Sequence, residues 1–374
     1  MLLAILILVG AVLALLVSRP PVLAQSTVCG QELAAYRSVA SNSNAPFQAT
    51  GDSCAGRGTY GLEYQCVEFV RRLYSQALGI NTLASPWSML NAVNFFDAAP
   101  ALQLGAFPNG VSTTPPAPDD ILVFEGPTTD SFGHVAVVTA VAPPSLQIIE
   151  QNWSVSGVAT LNITQSAGQY AVVRPGSSYI VRGWLRTMSD NFDANTLNIG
   201  RWGLLSPPPT STVTVTNTNQ QLQVTMSPGI GGGGLISFCS LSGDFDVQVD
   251  YILLNWPANN NHSLRLGAFD LGGVGMNRFS SSSELYELGP GSTAHISTTD
   301  TSGQFRLVRA SSTLSGFFRT SSGWTLLGSE TVPVIPTRFN LDLGTNGPFA
   351  PGDMLIAFDN FKVNAGTIHC PGSL

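Results

Sequence analysis

Four polar residues of this chain can be read as one chemical unit: a thiol at Cys66, an imidazole at His134, a carboxylate at Glu150 and a carboxamide at Asn152. Together they hold what covalent attack on an amide carbonyl needs: a nucleophile, a base, and groups that orient the base. A thiol becomes a good nucleophile when its pKa falls below the free value of ~8.5. A helix N-terminus and a neighbouring imidazole both lower it. Each residue also has a plainer reading. A free cysteine is most often a small buried hydrophobe. A lone histidine at a strand end is often structural, and Glu150 and Asn152 can form a solvated polar edge.

The elements around these residues decide between the readings. Val67, Val70, Tyr74, Ala77 and Leu78 recur at three- and four-residue steps before Gly79, which predicts a helix over Cys66–Leu78 with Cys66 on its first turn. Strands are expected at Ile121–Phe124, His134–Val141, Leu146–Asn152 and Tyr179–Leu185. A hairpin closing around Pro143-Pro144 sets His134 opposite Asn152, give or take two residues. Glu150 and Asn152, two apart, then share a sheet face with it. Gln31–Ala40 reads as a short helix. Ser85-Pro86 reads as a cap and first-turn proline of another helix, running to about Phe96. Helices followed by a small antiparallel sheet make an α+β unit.

Residues 58–185 resemble the CHAP family, the cysteine, histidine-dependent amidohydrolase/peptidases with a papain-like core. The resemblance lies in Tyr60-Gly61 through Gln65-Cys66-Val67-Glu68-Phe69-Val70, in Pro118-Asp119-Asp120-Ile121 through Phe124, in Gly133-His134-Val135-Ala136-Val137-Val138, in Ile149-Glu150-Gln151-Asn152 and in Gly183-Trp184-Leu185-Arg186. It implies Cys66 as nucleophile, His134 as base, and Glu150 and Asn152 as the further polar site residues. It also implies amide hydrolysis in peptidoglycan through a thioester, with no cofactor. Arg57-Gly58-Thr59 stands where one branch has paired aspartates, so no calcium is expected there. Asp119 replaces the family's usual glycine, and Asp120 matches a structural position.

Composition bounds the rest. The 374 residues carry a net charge of −7 and no basic patch, which disfavours nucleic acid as a partner. The apolar run Leu2–Val17 and the small residues before Gln25 read as an export signal over residues 1–24. No membrane association is expected after its cleavage; an uncleaved anchor is the alternative, because a basic n-region is missing. Five cysteines leave one unpaired. Economy favours Cys29–Cys54 and Cys239–Cys370, with Cys66 free, in a secreted or wall-associated protein.

From about Ser189 the chain alternates in short β-like runs with turn residues between them, which suggests a sandwich or jelly roll. Asp190-Asn191-Phe192-Asp193, Trp202 and the closing Phe358-Asp359-Asn360-Phe361 resemble the concanavalin-like, laminin-G-like group. The expectation is therefore an α+β papain-like CHAP domain over 30–187, able to fold alone, followed by an all-β jelly-roll sandwich over 189–374. Glu284 and Glu287 lack the Glu-x-Asp-x-x-Glu pattern of related glucanases, so glycoside hydrolysis is not expected. Glycan or surface binding and a stabilising spacer remain open for this half. A surface-adhesive protein with a silent first half is the alternative to an enzyme.

Overall fold

The computed structural model describes residues 28–47, 51–205, 213–257, 261–289, 294–345 and 352–374. The export-signal segment, 1–24, lies outside them. The described chain is mostly β. Its one α-helix is α1, Cys66–Leu78, which Gly79 ends at φ 64°, a conformation that costs glycine little.

The first half is built on a seven-stranded antiparallel sheet. In chain order its strands are β1, Gly105–Pro108; β2, Ile121–Glu125; β3, His134–Ala142; β4, Ser145–Ile149; β5, Val158–Ser166; β6, Gln169–Val173; and β7, Ile180–Arg186. Their order across the sheet is β6-β5-β4-β3-β2-β7-β1. α1 covers one face: Phe69, Val70, Leu73 and Tyr74 pack against Ile121, Val123, Val135, Val137 and Ile149. This is the periodic face read from the sequence, and the helix bounds agree with it. Burial of a large apolar side chain contributes about 1.5–3 kcal/mol, so these contacts outweigh helix propensity in holding α1.

Two expected helices are corrected. Residues 31–40 form a hairpin, Glu32–Tyr36 against Val39–Asn42, with Arg37 and Ser38 both at positive φ in its two-residue turn. Long-range bonds favour the hairpin over the helix. Ser41 donates to the Glu150 carbonyl, the Asn42 N–H donates to Gln151, and Arg37 grips Asp119. Residues 85–96 form two short 3₁₀ turns, Trp87–Met89 and Ala92–Phe95, separated by extended Leu90 and Asn91. Trp87, Ala92 and Phe95 are buried anchors, and Trp87 meets Phe95 edge-on and packs against Tyr74. The expected strand 146–152 stops at Ile149, so Glu150–Asn152 lies on the loop beyond it. Strands β1, β5 and β6 were not expected; β5 and β6 are largely exposed, although Ala159, Leu161 and Ile163 alternate with polar residues in β5.

The second half is a sandwich of two seven-stranded antiparallel sheets among the described residues. Two sixteen-residue strands, Ser240–Asn255 and Met354–His369, pair at its centre. The disulfides are Cys29–Cys54 and Cys239–Cys370, and Cys66 is free. The apolar face of the first sheet away from α1, with Phe107, Leu122 and Trp184, belongs to one cluster that continues through Met188, Phe192 and Trp202 into the sandwich. Beside it lies a buried ionic knot. Both Asp119 carboxylate oxygens accept from Arg37 at 2.7 Å, and Arg201 of the second half stands 3.1 Å from Asp119 and 3.6 Å from Asp190. Asp119 sits at φ 73°, which explains why glycine is usual there. Asp and Asn are the other residues most often found in that region. No helix of the described residues is long and apolar enough to cross a membrane.

Candidate active site

Cys66 opens α1, so its thiol sits where backbone N–H groups point outward. Gln65 precedes it as N-cap with φ −89° and ψ 156°. His134 opens β3 directly after Gly133. At Gly133, φ is +68°, and a Cβ would lie 2.5 Å from the Phe124 carbonyl oxygen, so only glycine delivers His134 at this angle. The two are neighbours: His134 acts on the Cys66 thiol through its charge and side chain, and the backbone N–H groups of Val135 and Val67 act on the same sulfur. The β3–β4 register pairs Val137 with Ile149, which, continued, sets His134 level with Asn152 as expected.

The Glu150–Asn152 loop divides its work. Glu150 Oε2 lies 3.1 Å from His134 Nε2. Gln151 donates to the Gln65 carbonyl at 3.0 Å and to Glu68 at 2.8 Å. Asn152, at φ 63°, donates to the Gln65 side chain at 2.8 Å and accepts from Asn44 at 3.1 Å. Cys66, His134 and Glu150 therefore stand in a line, with the His134–Glu150 pair hydrogen-bonded. Asn152 reaches the residue before the thiol rather than the imidazole, because its left-handed backbone turns it towards α1.

Charge accumulates along this line. Burial opposes ionisation of Cys66, but the His134 charge and hydrogen bond, with the two N–H groups, outweigh it and hold the thiol below its ordinary pKa. Burial depresses His134, yet Cys66 and Glu150 raise it from 6.5 to about 9. Burial pushes Glu150 up; His134 and Arg174 prevail and bring it down to about 2. The surroundings favour the charged forms, a thiolate beside an imidazolium backed by a carboxylate.

Three neighbours were not read from the sequence. Trp153 meets the His134 ring edge-on at 4.5 Å and packs on Tyr179 at 4.6 Å. Arg174, following β6, binds both Glu150 oxygens at 2.6 and 2.7 Å. Gln65 anchors the loop. Trp153 is next to Asn152 in sequence, a signal that could have been used. Arg174 is brought back only by the unexpected β5–β6 hairpin.

Cys66 and His134 line a cleft of about 430 Å³, walled by the Tyr60–Leu62 segment, Ser88–Ala92 and Asp130–Gly133. Met89 and Phe132 stand on its rim, 81% and 55% exposed. Among the described residues, no group of three or more His, Cys, Asp or Glu side chains is arranged to hold a metal ion.

The chain is similar to a glutathionylspermidine synthase of Crithidia fasciculata, 37% identical over 99 residues, covering 25% of this chain and 14% of that protein. It is also similar to a trypanothione synthetase of the same organism, 28% identical over 137 residues, covering 33% and 21%. The chain thus spans less than a quarter of the length of either relative. Among solved structures, a glycosyl hydrolase family protein from Mycobacterium fortuitum aligns with 46% of this chain and 98% of its own, at 12% identity and a TM-score of 0.37. A Bacillus licheniformis β-glucanase aligns with 47% and 98%, at 9% identity and a TM-score of 0.34. Residues 56–152, the segment that carries Cys66, His134, Glu150 and Asn152, match the family model for the CHAP domain, a match that supports an enzyme of the hydrolase or amidase type.

Proposed function

We propose that this protein is an exported cysteine amidohydrolase or endopeptidase that cleaves amide bonds of peptidoglycan. The observation that carries the reading is that Cys66 and His134 line an open cleft together, with buried Glu150 bonded to His134 behind them. The Cys66 thiolate attacks the amide carbonyl, and backbone N–H groups at the start of α1 stabilise the oxyanion. His134 gives its proton to the leaving amine, which departs and leaves a thioester on Cys66. His134 then takes a proton from water, whose attack releases the acid and restores the thiol. Glu150 fixes the imidazole and supports its charge. Asn152, through Gln65, holds the backbone that presents the thiol. We assign this half, over 30–187, a papain-like arrangement of one helix against an antiparallel sheet.

The two disulfides are compatible with an extracellular protein. They favour a wall amide over a cytosolic substrate. The matched relatives are named for glutathionylspermidine and trypanothione, so a glutathionyl-polyamine amide is the second substrate to test. The sandwich over 189–374 is assigned the binding of wall glycan. The deciding experiment is a zymogram on cell-wall material with wild type and Cys66→Ala, followed by mass spectrometry of released fragments. New amino termini released only by wild type are expected. No release from wall, with turnover of the polyamine amide, would replace the substrate. No turnover of either would leave an adhesive protein.

A further inference from the structure

We propose that Arg174 is a positioning residue of this site: its guanidinium holds the Glu150 carboxylate in the orientation that supports His134. This rests on the hydrolase reading above. The geometry is specific. Arg174 Nη1 and Nη2 reach Glu150 Oε2 and Oε1 at 2.6 and 2.7 Å, a two-pronged grip that leaves the carboxylate one orientation. Oε2 is the oxygen that also faces His134 Nε2 at 3.1 Å. Rotation of an ungripped carboxylate would break that contact. The same guanidinium lies 3.7 Å over the Trp153 ring, and Trp153 presses edge-on against the imidazole at 4.5 Å. One side chain therefore restrains both neighbours that set the plane of His134.

Charge gives a second reason. Glu150 is completely buried, and a lone carboxylate there would take up a proton. Arg174 keeps it ionised and shares its charge, so the imidazolium is supported without being made too weak an acid to protonate an amine. The titratable and charged groups facing this cluster are Cys66 from α1, His134 from β3, Glu150 after β4, and Tyr179 with Asp130 at the cleft wall. The Glu68–Arg72 pair of α1 joins through Gln151. A mere brace for β6 would add stability yet leave the titration of Cys66 where it is.

The test uses the full chain with Arg174→Gln and Arg174→Lys. The pH dependence of Cys66 alkylation by iodoacetamide reads the thiolate without any substrate; kcat and KM are measured on wall fragments. Arg174→Gln is expected to move the onset of alkylation up by about one pH unit. It is also expected to lower kcat about tenfold or more, with KM within about twofold. Arg174→Lys keeps the charge but not the two-pronged grip, so its onset should stay near wild type while kcat falls. An unchanged or lowered onset in Arg174→Gln, or wild-type kcat in Arg174→Lys, overturns the proposal. If Arg174→Gln does not fold, the kcat of Arg174→Lys decides alone. If wild type alkylates at low pH but cleaves no wall amide, the shift in Arg174→Gln still decides, and the substrate reading alone has failed.

Discussion

At Cys66 the surroundings lower the thiol pKa through its neighbours rather than through exposure. A charge on Cys66 and one on His134 each stabilise the other, and burial works against both. The sign of the pH dependence follows. Below the lowered thiol pKa, Cys66 takes up a proton; above about 9, His134 loses the proton that the leaving amine needs. Hydrolysis should therefore rise as pH climbs through the lowered thiol pKa, fall on the alkaline side near pH 9, and vanish in Cys66→Ala with the melting temperature retained. A pH–kcat/KM profile checks this, and an optimum well above 9 would contradict the ion pair. Much of this was legible from residue types: Cys66 on a first helical turn and His134 at a strand start, level with the Glu150–Asn152 loop, meet as their spacing implied. Arg174 was not legible, because nothing local ties a cation after an exposed hairpin to a carboxylate twenty-four positions earlier.

At the level of elements, amphipathic periodicity was a sound guide where one face is buried, as in α1, and misled where tertiary bonds decide. The Gln31–Ala40 segment looks helical by composition, yet its backbone and side chains are claimed by the Glu150–Asn152 loop and by Asp119. Asp119 gives a quantitative test of which effect wins there. Replacing it with glycine relieves a left-handed residue, about 1 kcal/mol in favour. It also strands Arg37 and Arg201 in the interior, where breaking a buried pair costs about 3–5 kcal/mol. Asp119→Gly, although it restores the family's usual residue, should thus destabilise by a net ~2 kcal/mol or more, read by chemical denaturation. A stabilised variant would show that the knot contributes nothing.

For the molecule as a whole, the sequence suggests two independent domains, while the packing gives them a common interior. Chain composition marks the change of character at 187–189 but says nothing of what the two surfaces do to each other. Arg201 and Trp202, both beyond that boundary, are buried beside Asp119 and Asp190. A fragment ending at 187 loses those partners and uncovers part of the shared apolar cluster. Its melting temperature should fall by about 10 °C or more relative to the full chain, at ~2–4 °C per kcal/mol for a domain of this size. Equal melting temperatures would restore the autonomous domain. The wall-binding role is best examined in full-length Cys66→Ala, which keeps the fold and cannot consume its ligand. It should co-sediment with insoluble wall, and recovery only in the supernatant would leave the sandwich as a spacer.

The last described residues close a gap that neither half could close alone. β1 is an edge strand of the first sheet, and Leu374 donates its N–H to Ala106 on it at 2.9 Å. Thr114 caps the Pro371 carbonyl at 2.6 Å, and Cys370, tied to Cys239, lies against Gly105. An uncovered edge strand is a template on which a second chain can add its own strand. The Cys239–Cys370 bond is thus a guard against self-association as well as a cross-link. Cys370→Ser should free the tail and shift the protein towards dimers and larger species in light scattering, while a variant that stays monomeric would show that the tail guards nothing.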